Sequence, residues 1–205
     1  MSTVAQPCIE GPPLLLRVRP AIEMTDEQFF AFCQVNRDLR IERTAEGDVL
    51  IMSPTGGKSS ERNAELGAQL RTWARRGRSG SVFDSSGGFV LPSGAIRSPD
   101  AAWVKRDRMA VLSDAQREKF VPLCPDFVVE LLSPSDDVAA VRAKMEEYMA
   151  NGARLGWLID PSRRAVEVYR RGGAVERLEN PATVSGDPVL AGFQLDLAEI
   201  WEPGL

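Results

Sequence analysis

The spacing of apolar residues predicts helices mixed with hairpins rather than a strict alternation of strand and helix. Thr25 and Gln28 form a capping-box pattern, which predicts a helix through about Asn36 with apolar residues on one side. Two further helices are predicted over residues 59–76 and 137–150, where large apolar residues recur at helical spacing. This order of elements predicts an α/β (α+β) fold with a mixed central β-sheet flanked by helices.

The predicted strands fall mostly in pairs joined by turns. Two hairpins are predicted, over residues 39–44 with 48–52 and over residues 155–159 with 165–169. Further single strands are predicted at 81–83, 88–91, 100–104 and 127–132. The polar segment 106–119 predicts short helical turns, and the tail 175–205 predicts a further strand or two with a short helix near 197–201. Residues 1–20, which contain four prolines, are expected to form an arm, and residues 21–205 a single domain.

Two Pro-Asp dipeptides stand directly before apolar runs, and the second run contains a carboxylate. Asp100 precedes the run containing Trp103, and Asp126 precedes the run containing Glu130. Because side chains alternate along a strand, Asp126 and Glu130 share one face. A carboxylate inside an apolar strand is costly unless a metal ion or a basic partner compensates it, and hard oxygen ligands suit Mg²⁺ or Mn²⁺. The alternative is structural: two turn aspartates, and Glu130 in an ion pair at a sheet edge.

Lys144 lies at the margin of the apolar stripe of the 137–150 helix, from which it can extend toward the sheet or toward solvent. Beside the carboxylates, a lysine can orient a water or stabilise the charge of a phosphodiester transition state. The chain has no histidine, which excludes Ser-His-Asp and Cys-His catalysis and H-E-x-x-H zinc sites. Cys8, Cys33 and Cys124 lack C-x-x-C spacing, which argues against zinc and against a disulfide framework.

The net charge of −4 provides no global attraction to nucleic acid, so such binding needs a local basic patch and a metal ion. Arg71, Arg75, Arg76 and Arg78 crowd the end of the 59–76 helix, where they either suit the helix dipole or form a phosphate-facing patch. No apolar run approaches the ~20 residues of a membrane span, and the N-terminus lacks the pattern of a signal peptide. A soluble, cytoplasmic protein is therefore expected.

A second phosphate-binding pattern is incomplete. Gly57-Lys58-Ser59 lies between a predicted strand and a predicted helix, which is the setting of a P-loop, and residues 158–160 could supply its acidic partner. The P-loop motif requires glycine at position 52, where this chain has Met52. A P-loop-like nucleotide-binding protein is therefore the weaker alternative.

Several longer blocks occur in order from about residue 48 to the tail: Ser53-Pro-Thr-Gly-Gly57, Arg62-Asn63-Ala-Glu65-Leu66, Phe83-Asp84-Ser-Ser86, Ser98-Pro-Asp100-Ala-Ala-Trp103-Val104, Cys124-Pro-Asp126-Phe-Val-Val-Glu130-Leu-Leu-Ser-Pro-Ser135, Lys144-Met-Glu-Glu-Tyr148, Asn151-Gly152 and Gly156-Trp157-Leu-Ile-Asp160-Pro161. In these blocks the chain resembles the Uma-two family, which is classed with the restriction-endonuclease-like PD-(D/E)XK superfamily. The resemblance implies a restriction-endonuclease-like core, with an extra N-terminal helix and hairpin, and an Mg²⁺- or Mn²⁺-dependent DNA endonuclease that is frequently a homodimer.

The resemblance also implies roles for individual residues. It assigns Asp100 and Glu130 as metal ligands and Glu65 as the acid of the first core helix. The superfamily places its lysine two residues after the second acid, where this chain has Leu132; the family resemblance assigns that role to Lys144 of the following helix. An inactive nucleic-acid-binding or assembly module with the same fold is the main alternative to a nuclease.

Overall fold

The computed structural model describes residues 13–204, and its elements follow the predicted order closely. The helices are α1 (Asp26–Val35), α2 (Gly57–Gly77), α3 (Arg106–Ala110), α4 (Asp114–Arg117), α5 (Val138–Ala150) and α6 (Ala198–Trp201). The strands are β1 (Leu14–Leu16), β2 (Arg40–Arg43), β3 (Val49–Met52), β4 (Gly80–Asp84), β5 (Phe89–Val90), β6 (Ile96–Arg97), β7 (Ala101–Lys105), β8 (Phe127–Leu131), β9 (Leu155–Asp160), β10 (Ala165–Arg170), β11 (Glu176–Glu179), β12 (Thr183–Ser185) and β13 (Gln194–Asp196).

The central sheet has six strands in the order β11-β10-β9-β8-β7-β4. Strands β8 and β9 pair in parallel, while the other neighbours pair antiparallel. A parallel pair needs a crossover connection, and α5 supplies it between β8 and β9. The prediction of a mixed central sheet flanked by helices is confirmed.

Both faces of strand β8 are buried, because a separate apolar core covers each side of the central sheet. Phe127, Val129 and Leu131 belong to a core that includes Leu66 and Leu70 of α2. On the other face, Val128 and Leu132 pack with Met145 and Tyr148 of α5. Only the first face was expected to be core. Since side chains alternate along β8, Glu130 lies on the second face, beneath α5.

A second sheet of five strands, in the order β1-β3-β2-β6-β5, packs with α1. The predicted β2–β3 hairpin is confirmed, as is the capping box of Thr25 and Gln28 at the start of α1. Strand β1 pairs antiparallel with β3, so the described part of the expected arm contains a strand. The remainder of that arm, including Cys8, lies outside the described residues.

Three other features bear on the expectations from sequence. The tail forms three strands, β11, β12 and β13, where one or two were expected. Strand β3 is antiparallel to both of its neighbours, so α2 does not follow a parallel strand as a P-loop requires. No helix in the described part of the chain combines the length and apolarity of a bilayer span.

Candidate active site

Strands β7 and β8 bring the two predicted metal-binding carboxylates together. Their register pairs Ala101 with Val129, and one more step sets Asp100 opposite Glu130. Directly opposed residues on antiparallel strands have Cβ atoms about 4.5–5.5 Å apart. The backbone N–H of Leu131 donates a 2.9 Å hydrogen bond to Asp100 Oδ2, which fixes the carboxylate at the strand end. Both acids are buried, with Asp100 8% and Glu130 6% exposed.

Lys144 of α5 extends toward the sheet, the direction on which its predicted role depends. Its Nζ lies 2.9 Å from Glu130 Oε1 and 2.9 Å from Glu42 Oε1. Tyr148, one helical turn later, donates its hydroxyl to Glu130 Oε1 at 3.0 Å. Helix α5 therefore presents a cation and a hydrogen-bond donor to the same carboxylate.

Glu42 of β2 is a third carboxylate in this cluster, and sequence reasoning missed it. Its side chain is fully buried and accepts hydrogen bonds from the backbone N–H of Ser98 at 3.0 Å and from Arg97 Nη1 at 3.3 Å. Burial acts to raise the pKa of Glu42, but Lys144 and Arg97 outweigh it and lower the pKa to about 2. The available signal was Arg40 and Glu42 two residues apart on a predicted strand, which places opposite charges on one face.

Arg40 of the same strand compensates Asp100. Its Nη1 and Nη2 lie 3.3 and 3.4 Å from Asp100 Oδ1, and Nη2 also donates to the carbonyl of Ser98 at 2.6 Å. Burial acts to lower the pKa of Arg40, but Asp100 and Glu42 outweigh it and raise the pKa. The Nε–H of Arg40 is buried and has no hydrogen-bond partner within residues 13–204. The guanidinium is therefore held by its outer nitrogens alone.

The negative charge of Glu130 is balanced less completely by neighbouring cations than that of Glu42. Burial raises its pKa to about 7; Lys144 opposes this shift, while Asp100 and Glu42 reinforce it. Lys144 faces two carboxylates, and Glu42 has Arg97 as a second cation while Glu130 has none within hydrogen-bond distance among the described residues. Glu130 therefore holds its proton more readily than an ordinary glutamate does.

Glu65 forms its hydrogen bond with a residue of its own helix. Its Oε1 accepts a 2.7 Å hydrogen bond from Gln69, and the adjacent Leu66 packs on the sheet face opposite to Glu130. No described hydrogen bond or ion pair joins Glu65 to Asp100, Glu130 or Lys144. Its catalytic role stays a prediction.

The second Pro-Asp dipeptide has a different environment from the first. Asp126 Oδ2 accepts from the backbone N–H of Lys105 at 2.9 Å and lies 3.0 Å from Arg108 Nη1. These contacts are at the start of β8, whereas Asp100 stands beside its end. Asp126 therefore organises the entry of the strand that carries Glu130.

The fold is shared with a solved α/β protein. A crystal structure described as a "putative nuclease belonging to DUF820", from Anabaena variabilis ATCC 29413, matches with a TM-score of 0.68 and 20% sequence identity, covering 87% of this chain and 97% of that one. At this identity the likeness concerns the fold. Residues 26–198 match the Uma2 family, described as "Putative restriction endonuclease". The chain belongs to this family, as its sequence blocks indicated. No curated protein matches it.

Proposed function

We propose that the protein is a DNA endonuclease that depends on Mg²⁺ or Mn²⁺ and hydrolyses phosphodiester bonds at the Asp100–Glu130 cluster. The observation that carries this proposal is the pairing of two buried carboxylates on adjacent strands, with Lys144 Nζ 2.9 Å from one of them. Membership of the Uma2 family, described as "Putative restriction endonuclease", supports the same class of reaction.

Asp100 and Glu130 fit a hard divalent cation. Mg²⁺ is usually bound by one or two carboxylates, with water and phosphate oxygens completing its shell. The described residues contain no group of three acids, cysteines or histidines placed to hold a metal, so the proposed metal site rests on Asp100 and Glu130 alone. The chemistry such an ion supplies is polarisation of the phosphoryl oxygens and activation of water. In this proposal Asp100 and Glu130 hold it.

The remaining cations of the cluster act on the phosphate. Glu42 and Glu130 orient the ammonium of Lys144, which stabilises the charge that develops on the phosphoryl oxygens or orients the attacking water. In the structure described, the guanidinium of Arg40 balances the negative charge of Asp100. Once another cation balances that charge, the guanidinium of Arg40 can bind a phosphate oxygen. The site thus combines acids for a metal with cations for the substrate.

The test is cleavage of supercoiled plasmid and single-stranded DNA with Mg²⁺, with Mn²⁺ or with EDTA. We expect cleavage with either metal, none with EDTA, and none by the Asp100→Ala/Glu130→Ala double variant. Asp126→Asn is the matched control, since it alters the other Pro-Asp dipeptide at the far end of β8 and should still cleave. Cleavage that survives the double substitution would refute the proposal.

Two related expectations are tested beside it. DNA binding by wild-type protein without cleavage in any metal would favour the inactive binding module instead. The homodimer implied by the family resemblance stays a prediction, and sedimentation of the purified protein tests it.

A further inference from the structure

A groove lies where the last turns of α2 meet the starts of β4 and α3. It encloses about 540 Å³, and its polar lining side chains are Arg71, Arg75, Arg78, Arg106 and Ser81. Gly80 allows the strands to meet there, because a Cβ at this position would lie 2.1 Å from the carbonyl oxygen of Val104. We call this feature the arginine groove.

The four arginines of the arginine groove are exposed and unpaired. Within residues 13–204 none of their side chains forms an ion pair or hydrogen bond. The adjacent acid, Asp107, is engaged by Lys105, whose Nζ lies 3.1 Å from its carboxylate. By contrast, the buried arginines Arg43 and Arg97 both have carboxylate partners. The groove therefore concentrates uncompensated positive charge in a protein whose net charge is −4.

The helix dipole explains only part of this charge. Arg75 and Arg78 lie at the C-terminal end of α2, where cations are favoured. Arg71 lies more than one turn before that end. It is four residues from Arg75, so the two like charges lie side by side on the helix, which destabilises it. Arg106 begins α3, the end of a helix that disfavours a cation. A bound anion would offset both unfavourable terms.

The edge strand β4 connects the arginine groove to the proposed active site. Asp84 of β4 pairs with Ala101, the neighbour of Asp100, while Gly80 pairs with Lys105, the neighbour of Arg106. Asp100 and Arg106 flank β7, the partner of β4, and are therefore about 20 Å apart along β7, at ~3.3 Å per residue. Duplex DNA rises ~3.4 Å per base pair, so this distance corresponds to about six base pairs.

We propose that the arginine groove binds phosphate groups of duplex DNA about six base pairs from the bond that is cut at the Asp100–Glu130 cluster. The guanidinium groups can bind phosphate oxygens in a bidentate manner, and the Ser81 hydroxyl supplies a further donor. The position of the cut bond rests on the proposed nuclease function. The affinity of the groove for DNA phosphate does not require cleavage.

The experiment measures binding of a short labelled DNA duplex by fluorescence anisotropy in EDTA, over a series of salt concentrations. Each lost phosphate contact should lower the slope of log K against log salt by about 0.9, which corresponds to roughly fivefold weaker binding at about 0.15 M salt. We expect this for Arg71→Ala and Arg106→Ala, with an additive loss in the double variant. Arg76→Ala is the matched control: the sequence groups Arg76 with the other arginines of α2, but its side chain does not line the groove and lies about 100° around the helix from Arg75, so this variant removes the same charge from the same helix outside the groove.

The proposal is supported if the groove variants lose slope and affinity while Arg76→Ala keeps the wild-type values. It is overturned if wild-type protein does not bind the duplex, if the groove variants keep the wild-type slope, or if Arg76→Ala loses as much as they do. Tighter binding of an RNA duplex through the same arginines would overturn the assignment to DNA. Because EDTA prevents metal-dependent cleavage, a protein that binds in this way but never cuts DNA contradicts the nuclease proposal and leaves the groove intact.

Discussion

Glu42 and Glu130 contact the same lysine at the same distance, yet we expect their neutralisation to change stability in opposite directions. Lys144 Nζ lies 2.9 Å from one carboxylate oxygen of each. The pKa of Glu42 is about 2, because Lys144 and Arg97 outweigh its burial, whereas burial raises the pKa of Glu130 to about 7. Glu42→Gln therefore removes a charge that stabilises the folded state, whereas Glu130→Gln removes a charge that destabilises it.

The ionised form of Glu42 stabilises the folded state. A pKa lowered from 4.5 to about 2 corresponds to ~3 kcal/mol. This contribution is fully present above pH 4.5 and is lost as the pH falls from 4.5 toward 2. Glu42→Gln should therefore lower the free energy of unfolding by about 3 kcal/mol at pH 8, since Lys144 and Arg97 lose a buried counter-charge.

The ionised form of Glu130 destabilises the folded state. A pKa raised from 4.5 to about 7 corresponds to ~3 kcal/mol of opposite sign. Below pH 4.5 the carboxyl group of Glu130 is protonated in both the folded and the unfolded protein, so it costs no stability. As the pH rises from 4.5 to 7 the unfolded protein releases this proton before the folded protein does, and the folded state loses stability. Glu130→Gln should therefore leave stability near that of wild type at pH 5 and match or exceed wild type at pH 8.

Urea unfolding followed by tryptophan fluorescence at pH 5 and pH 8 measures these differences. Glu176→Gln is the matched control, because Glu176 forms an exposed ion pair with Arg170 at 2.7 Å, and its loss should cost less than about 1 kcal/mol. The reasoning is refuted if Glu130→Gln destabilises the protein at pH 8 as much as Glu42→Gln does. It is also refuted if Glu42→Gln stays within about 1 kcal/mol of wild type.

Two further predictions concern the metal and the lysine. Titration calorimetry should show that Mn²⁺ affinity rises between pH 6 and pH 8 with release of a proton, because Glu130 must ionise to bind metal and its pKa is about 7. Glu130→Gln should abolish this pH dependence. A pH dependence that persists in the variant would contradict the role of Glu130 as a metal ligand. Lys144→Met should abolish plasmid cleavage while Mn²⁺ still binds, and wild-type cleavage rates in this variant would remove Lys144 from the reaction.

Local signals were sufficient to predict most elements and the central acids. Thr25 caps α1 through its own side chain, and the run containing Glu130 forms a strand because all its other residues are apolar and prolines flank it. The Pro-Asp dipeptide placed Asp100 at the start of a strand, and strand pairing then set it opposite Glu130. These inferences depend only on residues close together in sequence and on one neighbouring strand.

The rest of the cluster depends on contacts between distant segments. Glu42 and Lys144 are 102 residues apart, and Arg40 and Asp100 are 60 apart, so no local pattern joins them. They meet because β2 pairs with β6 and the chain runs from β6 through Asp100 into the start of β7, an arrangement that only the packed structure shows. Strand β1 was not predicted for a similar reason. Its three leucines show no alternation of apolar and polar residues, and they form a strand because they pair with β3.

The central claim is that Asp100 and Glu130 together hold a divalent cation beside Lys144. Anomalous diffraction from a crystal soaked in Mn²⁺ tests it most directly. We predict an anomalous peak within coordinating distance of both carboxylates and adjacent to the Lys144 ammonium, absent from crystals of the Asp100→Ala/Glu130→Ala variant. A soaked wild-type crystal with no peak there, or with its peak elsewhere, would contradict the account.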